Sequence, residues 1–176
     1  MTLIVVPEVL KFQPLLKSRK KLEQITDELR IRNLTPDKLQ DEFARYLASV
    51  LRARVQRSIQ LQTIGTKHMK DIYKPLSPDY NKTKPKFSKD KFWINTRYLV
   101  DHIQIFKTGR EYRVGFKNSD TYIDGKTKVA KVVVWLERGT KNIPARPLFS
   151  VHSKYITKNI MRFFAHFLKF RFGVIL

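Results

Sequence analysis

Four histidines are the side chains in this sequence whose type most readily suggests metal chemistry, and their spacing argues against it. No zinc-ligand spacing relates them to each other or to acids. The chain has no cysteine, which excludes disulfides, cysteine-bound zinc and thiol catalysis. We therefore expect no metal and no cofactor. The histidines are His68, His102, His152 and His166.

A second candidate for chemistry is a set of two acids and a cation at Asp101, Glu111 and Arg113. Such a set on strands resembles a nuclease pattern, but the spacing arises easily by chance. Arg113 has a simpler interpretation as the exposed side of an alternating strand. The serines lack a nucleophile-elbow context, and the six glycines are too scattered for a phosphate-binding loop. We predict that the protein is not an enzyme.

The net charge is the strongest compositional signal. The chain has 36 lysines and arginines against 15 acids, a formal charge of +21. Such a chain attracts polyanions, so its partner is nucleic acid, an acidic membrane surface or an acidic protein neighbour. Residues 126–176 contain eleven of the basic residues and a single acid, Glu137.

One basic segment also carries aromatic residues, namely Phe87, Phe92 and Trp93. Lysines and aromatics together can bind nucleic acid through phosphate contacts and base stacking. The alternative is a solvated loop whose aromatics enter the core. The lysines that could line a DNA channel or contact an acidic partner are Lys82, Lys84, Lys86, Lys89 and Lys91.

The elements that must position these residues begin with a long helix over 36–62. Thr35 is a suitable N-cap, Pro36 suits the first helical position, Asp37 complements the helix dipole and Gly65 is the expected stop. Before it, residues 1–12 form an apolar arm or short strand and 15–31 a first helix. We expect two parts: an arm with a short helix at 1–34, and a single domain at 35–176.

Beyond the long helix, residues 66–92 are predicted to be a loop, because three prolines interrupt them. Segments 103–107, 111–117 and 129–137 are predicted strands, rich in β-branched and aromatic residues. Helical spacing returns at 148–172. The expected fold is α+β: a long N-terminal helix, a small antiparallel sheet, a C-terminal helix packed on the sheet, and extended loops and arms.

The C-terminal helix combines lysines with Phe163, Phe164 and Phe167. A helix on a membrane surface has this composition, but so does the buried face of a core helix, which we favour. The tail 170–176 is apolar beyond the needs of a free terminus. We therefore predict that Phe172 and Ile175 dock on a neighbouring subunit.

The most specific segment runs from Val134 to Phe149. Gly139 permits a backbone conformation closed to other residues, and Pro144 and Pro147 fix the chain on both sides of Arg146. The planar guanidinium of Arg146 suits a carboxylate, and Glu137 is its natural partner, within a subunit or between subunits. On the residues alone, this segment is either a well-specified turn or an intersubunit contact.

This segment resembles the signature of the tailed-bacteriophage tail-completion and virion-morphogenesis proteins, the Mu-like head–tail joining group. There a strand ends in Glu-x-Gly-Thr, and a Pro-Ala-Arg-Pro-Phe-like turn leads into the last helix. Residues 73–80 and 94–103 look like two further motifs of that family. Tyr80, Arg97 and Arg138 depart from its usual residues. The matched signature residues with a predicted subunit-interface role are Glu137, Gly139, Thr140, Pro144, Arg146 and Pro147.

The resemblance implies a structural subunit of the phage neck, in a homo-oligomeric ring with six-fold symmetry. Its partners would be the head connector or adaptor and the tail-tube or tail-terminator proteins, with transient, non-specific contact to genomic DNA and no membrane. It would be assembled in the host cytoplasm and carried in the virion. Two alternatives stay open: a tail-terminator ring, and a stand-alone basic nucleic-acid-binding protein.

Overall fold

The structure is a computed structural model, and it describes residues 4–5, 27, 30, 35–84, 86, 89–93, 98–117, 119–121 and 125–173. Most of the predicted first helix at 15–31 and most of the arm at 1–12 lie outside the described residues, and the two described residues of that helix, Asp27 and Arg30, are helical. The helices in the described part are α1 Pro36–Leu61, α2 Met69–Ile72, α3 Pro78–Thr83, α4 Tyr98–Asp101, α5 Val129–Arg138, α6 Phe149–Lys158 and α7 Ile160–Phe172. The strands there are β1 Ile4–Val5, β2 Thr63–Ile64, β3 Lys67–His68, β4 Gln104–Thr108 and β5 Glu111–Gly115.

The long helix α1 begins as its sequence predicts. The hydroxyl of Thr35 accepts a hydrogen bond from the backbone N–H of Lys38, and Pro36 takes the first helical position. The last residue of the helix is Leu61, one residue before the predicted end at 62, and the C-cap is Gln62, whose φ of 53° is left-handed. Gly65 instead forms the tight turn between β2 and β3, with a φ of 62°.

The main sheet has three antiparallel strands in the order β1-β5-β4. The β4–β5 hairpin pairs Ile105 with Val114, and β1 pairs Ile4 with the same Val114 from the other side. The predicted strands at 103–107 and 111–117 are thus confirmed to within a few residues. One face of the sheet packs against α1, which places the sheet on the same core as the helices.

The predicted strand at 129–137 is wrong, because these residues form helix α5. Val129 and Val133 are buried and stand four residues apart, so they share one helical face. A β-branched residue lowers helix stability by only about 0.5 kcal/mol, which packing of an apolar face easily offsets. The strand that the phage resemblance implies before Glu137 is therefore a helix in this chain.

Two further expectations change in detail. The predicted loop at 66–92 contains β3, α2 and α3, because Pro78 takes the first position of a new helix, where proline needs no N–H partner. The predicted helix at 148–172 is two helices, separated at Asn159. Both contact α1, and α6 also contacts β1. The α+β class is confirmed.

The core is rich in aromatic residues where α7 meets α1. The ring of Phe43 lies 4.9 Å from that of Phe164 and 5.3 Å from that of Phe167. The phenylalanine face of the C-terminal helix is therefore a core face, as favoured over a membrane-surface face. No helix in the described part of the chain is both long and apolar enough to cross a membrane.

Candidate functional site

A half-open pocket with a volume of about 550 Å³ lies between α3, α5 and the loop 139–148. We call it the aromatic pocket. Its lining residues come from four parts of the chain: 75–84, 91–93 together with Leu99, 132–136 and 142–146. Both tryptophans of the chain, Trp93 and Trp135, are among its walls. The volume falls in the range of about 300–1,000 Å³ that is typical of small-ligand sites.

One wall is built by the turn that begins α3. The hydroxyl of Ser77 accepts a hydrogen bond from the N–H of Tyr80, 3.3 Å away, and so caps this short helix. Asn81 then holds the following loop, because its amide oxygen accepts from the N–H of Asp90 at 2.9 Å and its amide nitrogen donates to the Asp90 carboxylate at 2.5 Å. These two hydrogen bonds hold Asp90 next to α3, and the following residue, Lys91, lines the pocket.

The opposite wall is the loop 139–148. Gly139 has a φ of 77°, and a side-chain carbon there would lie 2.8 Å from the backbone nitrogen of Ala145. Thr140 closes the turn: its hydroxyl accepts from the N–H of Ile143 at 3.0 Å, and its own N–H donates to the Ile143 carbonyl at 2.7 Å. These two predicted interface residues therefore have a role in the loop's own conformation.

The end of this loop is anchored to the core by three hydrogen bonds. The N–H of Arg146 donates to the Leu136 carbonyl at 2.7 Å, and the indole N–H of Trp93 donates to the Arg146 carbonyl at 3.2 Å. The hydroxyl of Tyr73 donates to the carbonyl of Pro147. Burial, with a smaller effect of Glu137, raises the pKa of Tyr73, which keeps this phenol protonated and able to donate.

Glu137 does not pair with Arg146 within the chain, so the intrachain form of that prediction is wrong. Its carboxylate accepts from the N–H groups of Leu148 and Phe149, at 2.6 and 2.7 Å, and from the hydroxyl of Ser150 at 2.9 Å. These groups form the N-terminus of α6, where a carboxylate satisfies free donors and complements the helix dipole. The carboxylate of Glu137 therefore caps the N-terminus of α6.

Arg146 is left as a buried cation without an acidic partner in the described part of the chain. It is 5% exposed, and its Nε atom has no hydrogen-bond acceptor. Its guanidinium carbon lies 5.3 Å from the centre of the Phe92 ring, a cation–π contact. Burial lowers the pKa of Arg146, although an arginine remains charged at any physiological pH.

Lys84 is a second buried cation in the same pocket, and it too is 5% exposed. Its ammonium donates to the carbonyl of Lys91 at 2.5 Å and lies 5.6 Å from the centre of the Tyr80 ring. Burial, and then the charge of Arg146, lower the pKa of Lys84 to about 8, while Asp90 opposes the shift. At neutral pH the pocket therefore holds two positive charges.

The other four predicted channel lysines, Lys82, Lys86, Lys89 and Lys91, are exposed. Phe92 and Trp93 are buried, so for these two the alternative of entering the core is confirmed. Phe87 lies outside the described residues. The exposed lysines form a solvated basic surface that adjoins the aromatic pocket through Lys91.

The remaining predicted interface residues lie in different environments. Pro144 lines the aromatic pocket, and Pro147 is half-buried. Phe172 is buried within the chain, 5.9 Å from the Phe167 ring, and Ile175 lies outside the described residues. An intersubunit role for these residues stays a prediction.

The residues considered for catalysis make structural contacts. Arg113 and Glu111 form an ion pair of 2.6 Å within β5. The hydroxyl of Ser58 lies 2.8 Å from Nε2 of His152, and both side chains are buried in the core. Within the described ranges, no three histidines or acids come together as a metal site.

Sequence reasoning placed Lys84, Phe92 and Trp93 in one basic segment, but it did not predict that Lys84 is buried or that Trp135 and Arg146 line the same pocket. Lys84 alternates with exposed lysines on both sides, so no local pattern marks it as buried. No protein-family model, curated protein or solved structure matches this chain.

Proposed function

We propose that this chain is a structural subunit of a tailed-phage neck, forming a tail-completion or head–tail joining ring between the head connector and the tail tube. The proposal begins with the resemblance of residues 73–80, 94–103 and 134–149 to that protein family. In this role the protein acts mechanically and presents a rigid surface to its neighbours.

One observation carries the proposal: described parts of all three motif-like segments line the same pocket. Pro75 and Ser77 come from the first, Leu99 from the second, and Trp135 and Arg146 from the third. Segments that act only as local turns are not required to line a common pocket. Their convergence is what a shared contact surface requires.

The charge distribution supports a ring that surrounds DNA or meets acidic partner rings. The exposed lysines at 82, 86, 89 and 91 lie in the last turn of α3 and in the chain that follows it, and they make no sequence-reading motif. A conduit must let DNA pass without gripping it, and exposed lysines offer only weak, salt-screened contacts. The resemblance implies six-fold symmetry for such a ring.

The test is electron microscopy of the purified chain, alone and with tails of the phage that encodes it. We expect rings, or added density at the head-proximal end of the tail. A chain that stays monomeric and ignores tails contradicts the proposal. Density that caps the tail tube and blocks further tube growth indicates instead the tail-terminator position within the same class.

A second candidate, a stand-alone nucleic-acid-binding protein, is favoured by the net charge of +21. Under it, the isolated monomer binds DNA tightly, and the affinity falls steeply with salt. Weak DNA binding by a ring-forming chain argues against it.

A further inference from the structure

We propose that the aromatic pocket binds a carboxylate group carried on an apolar body. The inference rests on the geometry of the isolated chain and does not depend on the proposed neck role. The first step is the state of Arg146. Its side chain is 5% exposed, its Nε atom has no acceptor, and it has no acidic partner in the described ranges.

An unpaired buried guanidinium is unfavourable, because burial removes water without supplying a counter-charge. Glu137, the nearest acid along the sequence, cannot supply it, since its oxygens accept from Leu148, Phe149 and Ser150. The backbone of Arg146 is fixed by Leu136 and Trp93, so the side chain is held at the pocket wall. The pocket is thus organised around a cation that an external anion can pair.

Lys84 adds a second positive charge to the same cavity. Its ammonium is partly satisfied by the Lys91 carbonyl, and Asp90 lies near enough to raise its pKa. One free guanidinium and one partly satisfied ammonium match a single carboxylate better than a phosphate, whose second charge and third oxygen would meet apolar walls.

The rest of the lining selects the body of the ligand. Trp93, Trp135, Leu76, Leu99 and Pro144 present ring and aliphatic surface to the cavity. Burying an apolar group there gains about 25 cal/mol per Å² of surface removed from water. The ligand class is therefore a carboxylic acid with an aromatic or aliphatic body, either free or as the acidic side chain of a protein segment with apolar neighbours.

The experiment titrates the full chain with 3-phenylpropionate and with its neutral isostere 3-phenylpropionamide. Because both tryptophans line the pocket, intrinsic fluorescence reports binding directly. We expect the acid to bind at least about tenfold more tightly than the amide, since only the acid pairs the buried guanidinium. Equal binding of acid and amide overturns the proposal, and so does absence of binding by both.

Matched variants locate the site. Arg146→Gln keeps the backbone hydrogen bonds and removes the charge, so we expect it to abolish the preference for the acid. Lys82→Gln removes an equal charge from an exposed position outside the pocket and should change affinity less than about twofold. An unchanged preference in Arg146→Gln overturns the proposal. If that variant fails to fold, the acid–amide comparison on the unmodified chain still decides.

The pH profile provides an independent reading. Lys84 is faced by Arg146, Asp90 and Tyr80, and it loses its proton near pH 8. Binding of the acid should therefore weaken as the pH rises through that value, and the profile should flatten in Lys84→Met. A capped peptide with one glutamate between apolar residues serves as the second probe. Tighter binding of the peptide assigns the carboxylate to a protein partner, and tighter binding of the free acid assigns it to a small molecule.

Discussion

The carboxylate of Glu137 accepts a hydrogen bond of 2.7 Å from the backbone N–H of Phe149. This contact joins the last turn of α5 to the first turn of α6 across the loop 139–148. The same carboxylate accepts from Leu148 and Ser150, so one side chain satisfies several free donors of α6. Glu137 thereby links the end of α5 to the start of α6.

Replacing Glu137 should destabilise the fold, and the loss should grow with the number of carboxylate oxygens that are removed from the N-terminus of α6. We expect Glu137→Ala to lower the free energy of unfolding by about 1–3 kcal/mol, because buried N–H groups lose a charged acceptor. Glu137→Gln keeps one carbonyl oxygen as an acceptor, so its free energy of unfolding should lie between those of the parent and Glu137→Ala. Urea denaturation measures both variants, and equal stability of Glu137→Ala and the parent would show that the cap contributes nothing.

Gly139 should tolerate no side chain. Gly139→Ala must both adopt a φ of 77° and move a backbone atom now 2.8 Å from the new carbon. Gly65→Ala is the matched control, since Gly65 has a φ of 62° with nothing within 4 Å. We expect the control to cost about 1 kcal/mol and Gly139→Ala clearly more. Thermal denaturation compares them, and similar losses would contradict a steric role for Gly139.

His152 should make stability depend on pH. Burial, and then the charge of Arg54, lower its pKa to about 4 from the ordinary value of 6.5. Between those values the unfolded chain binds the proton and the folded chain does not, so stability falls as the pH is lowered. From pH 7.5 to pH 5 this amounts to about 2 kcal/mol.

The control for that prediction distinguishes the contribution of His152 to the pH dependence of stability from that of the acidic residues. His152→Gln should lose this part of the pH dependence, whereas Ser58→Ala removes the hydrogen-bond partner and keeps the titrating ring. Chemical denaturation of the three proteins at both pH values gives the comparison. A parallel pH dependence in His152→Gln and the parent would refute the assignment.

Four exposed lysines, in the last turn of α3 and in the chain that follows it, should account for most of the chain's contact with DNA. Replacing them together with glutamine should weaken DNA binding and make it less dependent on salt, since each lost phosphate contact lowers the slope of log affinity against log salt by about 0.9. Fluorescence anisotropy with duplex DNA at several salt concentrations measures the slope. The four positions are Lys82, Lys86, Lys89 and Lys91.

The matched control removes the same charge elsewhere on the surface. Four exposed lysines on α1, β3 and α6 serve this purpose: Lys38, Lys67, Lys154 and Lys158. If the control lowers the slope of log affinity against log salt more than the first variant does, the DNA contact lies on another face. If both variants lower the slope equally, DNA is attracted by the net charge of the protein and not by a particular surface.

The amino-acid sequence by itself determined the elements whose signals are local. Thr35 and Pro36 define the start of α1 through a side-chain cap and a fixed φ, and both act within one helical turn. The alternation of Tyr112 and Val114 with Arg113 is sufficient to define β5. Gly139 is also readable from sequence, because only glycine fits its backbone conformation.

The tertiary structure decided what depends on partners distant in the chain. The run from Val129 is compatible with a strand or a helix, and it became a helix because four-residue spacing buries Val129 and Val133 on one face. Lys84 shares its pattern with exposed lysines, but the tertiary structure buries it in the pocket, where its ammonium contacts the Lys91 carbonyl and feels the charge of Arg146. The sequence supplied two cations and the aromatic side chains, and their meeting in one pocket depended on long-range packing that no local propensity encodes.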